Sequence, residues 1–150
     1  MKKKQQGFSM IELLVTITVL MFIIVLIVTS FRSYARIQLF EQSAADIRNG
    51  LSEAKTKTIG SVNGTVYGVY VGTSSIQFFG GATPVVNSNS NTIITFPKGI
   101  TATSSFSSHQ WYLTFARITG IPTATGTITI QDSISNTSKT FLILDTGLVQ

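Results

Sequence analysis

KKKQQGFSMIELLVTITVLMFIIVLIVTSF, the sequence from Lys2 to Phe31, combines a charged start with a long apolar run. Three lysines and two glutamines precede Gly7 and Phe8, and mostly apolar residues follow. A helix over residues 8–31, rising about 1.5 Å per residue, would cross the roughly 30 Å hydrocarbon core of a bilayer. Because the second half of this run has no polar face, we expect the helix to be buried on all sides, in lipid or among other helices.

The apolar run differs from a secretory signal peptide in two ways. A signal peptide has an apolar region of about 7–15 residues that ends at a small-x-small cleavage site. Here the run is longer, and the bulky, basic residues 31–36 follow it. The small residue instead precedes the run, at Gly7.

Glu12 is the one charged side chain inside the apolar run. An ionised side chain costs on the order of 3 kcal/mol at the bilayer centre and less toward its edge, so a carboxylate here is a functional hypothesis. Two interpretations stay open on this ground alone. Glu12 either reaches the lipid headgroups of a plain signal anchor, or it pairs with an opposite charge.

The stretch KKKQQGFSMIELLVTITVL resembles the class III signal of type IV prepilins, with a basic leader, a glycine, a phenylalanine, three residues, a glutamate and an apolar run. The resemblance implies that a prepilin peptidase cuts between Gly7 and Phe8 and that Phe8 becomes N-methylated. It also implies that Glu12 pairs with the terminal amine of a neighbouring subunit. Electrostatics agrees, because a carboxylate in lipid is tolerated beside an opposite charge, and cleavage creates an ammonium group one helical turn from Glu12.

The charge distribution predicts an orientation in the membrane. The net charge of +5 comes from 11 basic and 6 acidic side chains, and loss of the three leader lysines would leave 8 against 6, or +2. The positive-inside rule places the leader in the cytoplasm and the residues after Phe31 outside the inner (cytoplasmic) membrane. With no cysteine in the chain, an exported domain must be stabilised by core packing and not by disulfides.

Beyond the membrane segment, the sequence predicts a second, amphipathic half of the same helix. Apolar residues recur at three- and four-residue spacing and form one stripe: Tyr34, Ile37, Phe40, Ala44, Ile47, Leu51 and Ala54. Lys55 and Lys57 suit a helix C-terminus, and Gly60 suits its cap. The expected organisation is a leader at 1–7, a transmembrane helix at 8–31, an amphipathic helix at 32–59 and a β-rich extracytoplasmic domain at 60–150.

The region after Gly60 alternates short β-prone runs with turn residues. Six antiparallel strands are predicted, near residues 65–71, 75–79, 92–96, 111–115, 127–130 and 140–144. Residues 80–91, GGATPVVNSNSN, are predicted to form a loop that could contact a partner. The fold class is α+β, with small antiparallel sheets packed on the helical stripe. The resemblance implies the type IV pilin fold.

Segments near the C-terminus are similar to those of H-type minor pseudopilins and FimT-like minor pilins. They are the run ending at Gly99, the Gly-x-Ile-x-Ile pattern at 126–130, and the last strand with its Gly-x-Val ending at 139–149.

Other site-like patterns are predicted to be structural. Asp145 opens an Asp-Thr-Gly triplet, but protease chemistry needs a second carboxylate on a matching lobe, so a strand and turn are expected. His109 is the only histidine and has no cysteine or acid cluster nearby, which gives no support for a metal site or a catalytic triad. Asn63 and Asn136 begin glycosylation-type triplets that also suit turns. Trp111 and Tyr112 are predicted to be core aromatics, with partner contact as the alternative. No enzyme activity, metal or cofactor is predicted.

Two functions from different classes remain. The first is a structural subunit, a minor one, of a type IV pilus or a type II secretion pseudopilus. Its predicted partners are other pilin or pseudopilin subunits, a prepilin peptidase, inner-membrane assembly machinery, and membrane lipid before assembly. The second is a FimT-like DNA-binding minor pilin in DNA uptake. Beyond Gly50 the excess of positive charge that could bind DNA phosphates is small. Five residues are basic (Lys55, Lys57, Lys98, Arg117 and Lys139) and three are acidic (Glu53, Asp132 and Asp145).

Overall fold

A computed structural model of the chain describes residues 9–85 and 91–150. The predictions for Gly7 and Phe8, and for the central part of the 80–91 loop, lie outside these ranges. The described elements are helix α1 (Met10–Ile59), a short 3-10 turn (Val62–Gly64) and seven strands: β1 (Tyr67–Val71), β2 (Ser75–Gly80), β3 (Thr92–Thr95), β4 (Ile100–Phe106), β5 (Tyr112–Thr114), β6 (Gly126–Asp132) and β7 (Thr137–Ile143). The chain forms two compact units, Met1–Ile37 and Gln38–Gln150.

The first unit contains the apolar part of α1. Its described side chains are exposed as far as Tyr34. The hydroxyls in this part hydrogen-bond to carbonyls three or four residues earlier in the same helix, as from Thr16 to Leu13 (2.9 Å), Thr18 to Val15 (2.8 Å) and Ser30 to Leu26 (3.0 Å). Such internal bonds satisfy the hydroxyl donors without water, which is what an apolar surrounding requires.

The second unit contains the remainder of α1 and both sheets. Its helix buries one face, made of Phe40, Ser43, Ala44, Ile47, Leu51, Ala54 and Thr58. The predicted stripe is therefore confirmed from Phe40 onward. Its first two members are not buried, since Tyr34 is 61% and Ile37 is 50% exposed.

The helix ends at Ile59, but Gly60 is not the left-handed cap that the sequence suggests. The Gly60 amide still bonds to the Thr56 carbonyl at 2.9 Å, so the helical hydrogen-bond pattern continues through it. The left-handed residue is Ser61, with φ of 47°. Nearby, the buried Thr58 hydroxyl accepts a bond from the Tyr67 amide at 2.9 Å and so ties the last helical turn to β1.

The first sheet has the strand order β3-β2-β1-β5, with every pair antiparallel. Its centre is the predicted hairpin of β1 and β2, in which Val69 lies opposite Phe78 and Val71 lies opposite Ile76. The predicted strands near 92–96 and 111–115 are confirmed as β3 and β5 at the sheet edges.

The second sheet has the order β4-β6-β7 and is also antiparallel. The predicted strands near 127–130 and 140–144 are confirmed as β6 and β7, although β7 begins earlier, at Thr137. Strand β4 is missing from the six predicted strands, because its Thr and Ser residues have the composition of a loop. Its buried residues nevertheless alternate with exposed ones, Ile100 and Ala102 against Thr101 and Thr103.

A single hydrophobic core joins the helix and both sheets of the second unit. It includes Ile47 and Leu51 from α1, Val69 and Leu113 from the first sheet, and Ile128 from the second, all 0% exposed. The α+β prediction, a long N-terminal helix packed on antiparallel sheets, is confirmed.

Two aromatic predictions have different outcomes. Tyr112 is half-buried and its ring meets Phe79 edge-on, with 6.1 Å between the centroids. Trp111 is 65% exposed, so its prediction as a core residue is wrong. It lies just before β5, whose inward positions are filled by Leu113 and, one residue past the strand, Phe115.

Candidate functional site: the first turn of helix α1

The first turn of α1 places Glu12 at the third helical residue. The helix begins at Met10, and the Ser9 carbonyl accepts bonds from the amides of Glu12 (3.0 Å) and Leu13 (3.2 Å). Ser9 therefore closes the first turn. The Glu12 carboxylate stands on that turn, near the end of the helix where amide groups have no partners within the helix.

The N-terminus of the helix favours a negative charge at this position. Aligned peptide dipoles place a partial positive charge there, and a carboxylate in the first turn gains about 0.3–1 kcal/mol from it. The spacing Ser9-x-x-Glu12 also has the form of a capping box, a pattern that marks the start of a helix. Glu12 thus has a favourable position within its own chain, before any partner is considered.

Apart from Ser9 and Thr16, the side chains within one helical turn of Glu12 are apolar. Ile11 is 70%, Leu13 54%, Leu14 59% and Val15 55% exposed. From Met10 to Phe31 no other side chain is charged. A soluble surface rarely carries an apolar area of this extent, which marks a region of contact with lipid or with other proteins.

Helix α1 is the one helix among the described residues that is long and apolar enough to cross a membrane. This criterion concerns length and composition, which core helices and signal sequences can also meet. Here the apolar window is not buried at all within the chain, unlike that of a core helix.

The other patterns picked out by sequence occupy turns and exposed loops. Asn63 and Asn136 have φ of 54° and 53°, as expected for turn residues. Asp145 lies in a turn closed by the Gly147 amide on the Leu144 carbonyl at 2.9 Å, so the strand-and-turn prediction is confirmed. His109 is exposed, and no group of three metal-binding side chains occurs in residues 9–85 and 91–150.

The basic residues of the second unit are largely engaged within the chain. Lys57 pairs with Glu53 at 2.6 Å, and Lys139 pairs with Glu41 at 2.7 Å. Lys55 donates to the carbonyls of Thr146 (3.2 Å) and Gly147 (3.0 Å). These contacts reduce the positive charge available to a phosphate backbone.

Comparison with models of known protein families gives a match at the N-terminus. Residues 2–28 match the family model described as the prokaryotic N-terminal methylation motif. This range contains Gly7, Phe8 and Glu12. The comparisons with curated proteins and with solved structures found no match.

The methylation motif and the architecture agree with each other. The motif covers the start of a long N-terminal apolar helix, and that helix continues into a unit with antiparallel sheets. Together they support a type IV pilin-like protein. The motif implies processing by a prepilin peptidase and assembly with other pilins, and its family is structural rather than catalytic.

Proposed function

We propose that the chain is a structural subunit, a minor one, of a type IV pilus or a type II secretion pseudopilus. In this proposal the leader is removed between Gly7 and Phe8, Phe8 is N-methylated, and the apolar helix moves from the inner membrane into a bundle of subunit helices. The observation that carries the proposal is Glu12, a single carboxylate in the first turn of a helix that is otherwise uncharged as far as Phe31.

The carboxylate is unfavourable while the helix is in lipid and favourable once the helix is in an assembled bundle. In lipid it is tolerated near the membrane edge, where the helix N-terminus partly offsets its charge. In a bundle it would pair with the methylated terminal amine of an adjacent subunit. Because the apolar side chains around it form no charge pair of their own, this one pair can set how far neighbouring helices are shifted along their axes.

Orientation follows from the same proposal. Lys2, Lys3 and Lys4 hold the leader in the cytoplasm, and the residues after Phe31 lie outside. The second unit is then the part presented on the filament surface, with lipid as the partner of the helix before assembly.

The test is to replace Glu12 by glutamine, which keeps the side-chain shape and removes the charge. In a strain whose machinery assembles the wild-type chain, we expect Glu12→Gln to remain in the membrane fraction. Its amount in sheared filaments should fall about tenfold or more, since breaking a buried charge pair costs about 3–5 kcal/mol.

Thr18→Val is the matched control, because the Thr18 hydroxyl bonds only to its own helix, at the carbonyls of Leu14 (3.0 Å) and Val15 (2.8 Å). It should enter filaments at the wild-type level. Entry of Glu12→Gln at that level would remove the charge-pairing proposal.

DNA binding is the alternative function, and the contacts of the second unit give it little support. Three of its basic side chains, Lys55, Lys57 and Lys139, are already held by carboxylates or carbonyls. A fragment of residues 38–150 that bound double-stranded DNA with a steep decrease of affinity in salt would favour this alternative.

A further inference from the structure

A cavity of about 180 Å³ lies at the end of β4, beside the exposed Trp111. It is lined by Ser104, Ser105, Phe106, His109, Gln110 and Trp111. We propose that this cavity binds one neutral sugar ring, such as a terminal residue of a surface glycan. Such a site goes beyond the assembly role and lies in the second unit, away from the methylation motif.

Trp111 is the first reason for this proposal. It is the only tryptophan of the chain, yet it is 65% exposed, while other aromatic side chains such as Phe40, Phe79 and Phe115 are buried in the core. An indole is apolar on its ring face and polar at its N–H, so it suits a ligand that also has an apolar face and a polar edge. A sugar ring has that division, with C–H groups on one face and hydroxyls around its rim.

The polar side chains of the cavity are the second reason. Gln110 offers an amide with donors and an acceptor, His109 an imidazole, and Ser105 a hydroxyl, all able to bond to sugar hydroxyls. Among the described residues, no lysine, arginine, aspartate or glutamate lines the cavity. A phosphate or carboxylate ligand would find no fixed counter-charge, so the lining favours a neutral one.

Ser104 supplies an unused hydrogen-bonding group. Its Oγ is shielded from solvent and, among the described residues, has no hydrogen-bond partner. Buried polar atoms are almost always paired, because an unpaired one has lost its bonds to water without replacement. If the Ser104 side chain, which lines the cavity, rotates toward it, a ligand hydroxyl would satisfy this atom.

The loop that carries the site is held at several points. The Ser107 amide bonds to the Thr125 carbonyl at 2.9 Å, and the Thr125 amide returns a bond to Ser107 Oγ at 3.2 Å. The Trp111 carbonyl accepts from the Val71 amide at 2.9 Å. Because these bonds fix the backbone before binding, ligand binding loses little conformational entropy of the loop.

The size of the cavity sets the size of the ligand. Pockets for drug-sized molecules measure about 300–1,000 Å³, so 180 Å³ suits a single ring. If the ligand were instead the flat surface of a partner protein, a broad apolar patch would be needed around Trp111. Its neighbours His109 and Gln110 are polar, which favours the sugar over a protein partner.

The sole tryptophan provides the measurement. The full chain, held in a zwitterionic detergent without a sugar headgroup, is titrated with methyl glucoside, methyl galactoside and N-acetylglucosamine while Trp111 emission is recorded. We expect a saturable blue shift with at least one of the three and none with glycerol at equal concentration. No saturable shift with any of them would overturn the proposal.

Variants separate binding from folding, with affinity measured by ligand-detected NMR because Trp111→Leu removes the fluorophore. Trp111→Leu and Gln110→Ala should each weaken binding about tenfold or more. Ser104→Ala should also weaken binding but leave the thermal unfolding temperature equal or higher, since it removes an unpaired hydroxyl. Ile118→Ala, at an exposed apolar side chain outside the cavity, is the control and should bind as wild type. If Trp111→Leu still binds sugar, the binding site lies elsewhere and the proposal is wrong. It is also wrong if only another pilin subunit shifts the emission, since Trp111 would then be a protein contact.

Discussion

The ring of Phe78 in β2 lies against Gly50 of α1 and fills the space that a β-carbon at residue 50 would occupy. With the Phe78 side chain in this position, no side chain larger than that of glycine fits at residue 50. A glycine inside a helix costs roughly 0.5–1 kcal/mol relative to alanine, and the aromatic contact offsets that cost.

Gly50→Ala is accordingly expected to destabilise the second unit, although the same change in an open helix would stabilise it. The added methyl group overlaps a ring that is itself packed against the core, so we expect a loss of about 1–3 kcal/mol of unfolding free energy. Denaturant unfolding of residues 38–150 measures it. Ser52→Ala, on the exposed side of the same helix, is the control and should be neutral or slightly stabilising. The double variant with Phe78→Leu should recover part of the loss, and a stabilising Gly50→Ala would show that the contact is not tight.

Lys55 links the helix to the last turn of the chain through its bonds to the carbonyls of Thr146 and Gly147. Lys55→Met keeps the length of the side chain and removes its donors. We expect a loss of about 1–2 kcal/mol, because two carbonyls lose a charged partner. Hydrogen exchange should localise the effect to the amides of Leu144 and Gly147, which are hydrogen-bonded within this turn. Unchanged exchange there would mean that water replaces the lysine without cost.

The ion pair between Lys57 and Glu53 should stabilise the fold to a degree that depends on pH. The hydrogen bond to Glu53 raises the pKa of Lys57 above its usual 10.5. Because the folded pKa is raised, the pair stabilises the fold below about pH 10.5 and loses this effect as the pH rises through the folded pKa. Both side chains are well exposed, at 42% and 59%, so the stabilisation should be within about 0.5 kcal/mol. The difference in unfolding free energy between wild type and Lys57→Gln should thus be small at pH 8 and vanish once the pH exceeds the raised pKa of Lys57. A difference that grows with pH would contradict this sign.

The fragment of residues 38–150 should fold alone in water. Every buried core residue lies within it, from Phe40 to Ile143, whereas the described part of the first unit is exposed as far as Tyr34. We expect one cooperative thermal transition without detergent. If the fragment unfolds gradually or needs detergent to remain monomeric, the first part of the helix contributes to its stability.

Much of the fold was predictable because the sequence signals were periodic. The stripe from Phe40 to Ala54 identifies a buried helix face directly, and β-prone runs separated by turn residues identify β1 and β2. Strand β4 was missed since its serines and threonines obscure a regular alternation of buried and exposed positions. The cap at Ser61 was missed because a glycine stood one residue earlier, where backbone hydrogen bonding still continued the helix.

The sites were predictable to different degrees. Glu12 stands out in sequence because a charge in an apolar run is conspicuous, and the motif match spans it. The cavity beside Trp111 could not be predicted, since residues 104–106 and 109–111 come together only when β4 ends and the chain turns back toward β5. A tryptophan next to a strand is ordinarily a core residue, and only the fold shows that the inward positions are already filled.

The most direct test of the central proposal is the intact mass and N-terminal sequence of the membrane-extracted chain, produced with and without a prepilin peptidase. With the peptidase, we expect a chain that begins at Phe8 and is heavier by one methyl group than cleavage alone would give. Without it, the leader should remain. Gly7→Val replaces the small residue before the cleavage site with a larger one, so this variant should keep the leader under both conditions. A wild-type chain that retains Lys2 to Gly7 in the presence of an active peptidase would contradict the proposal and leave an ordinary signal-anchored domain.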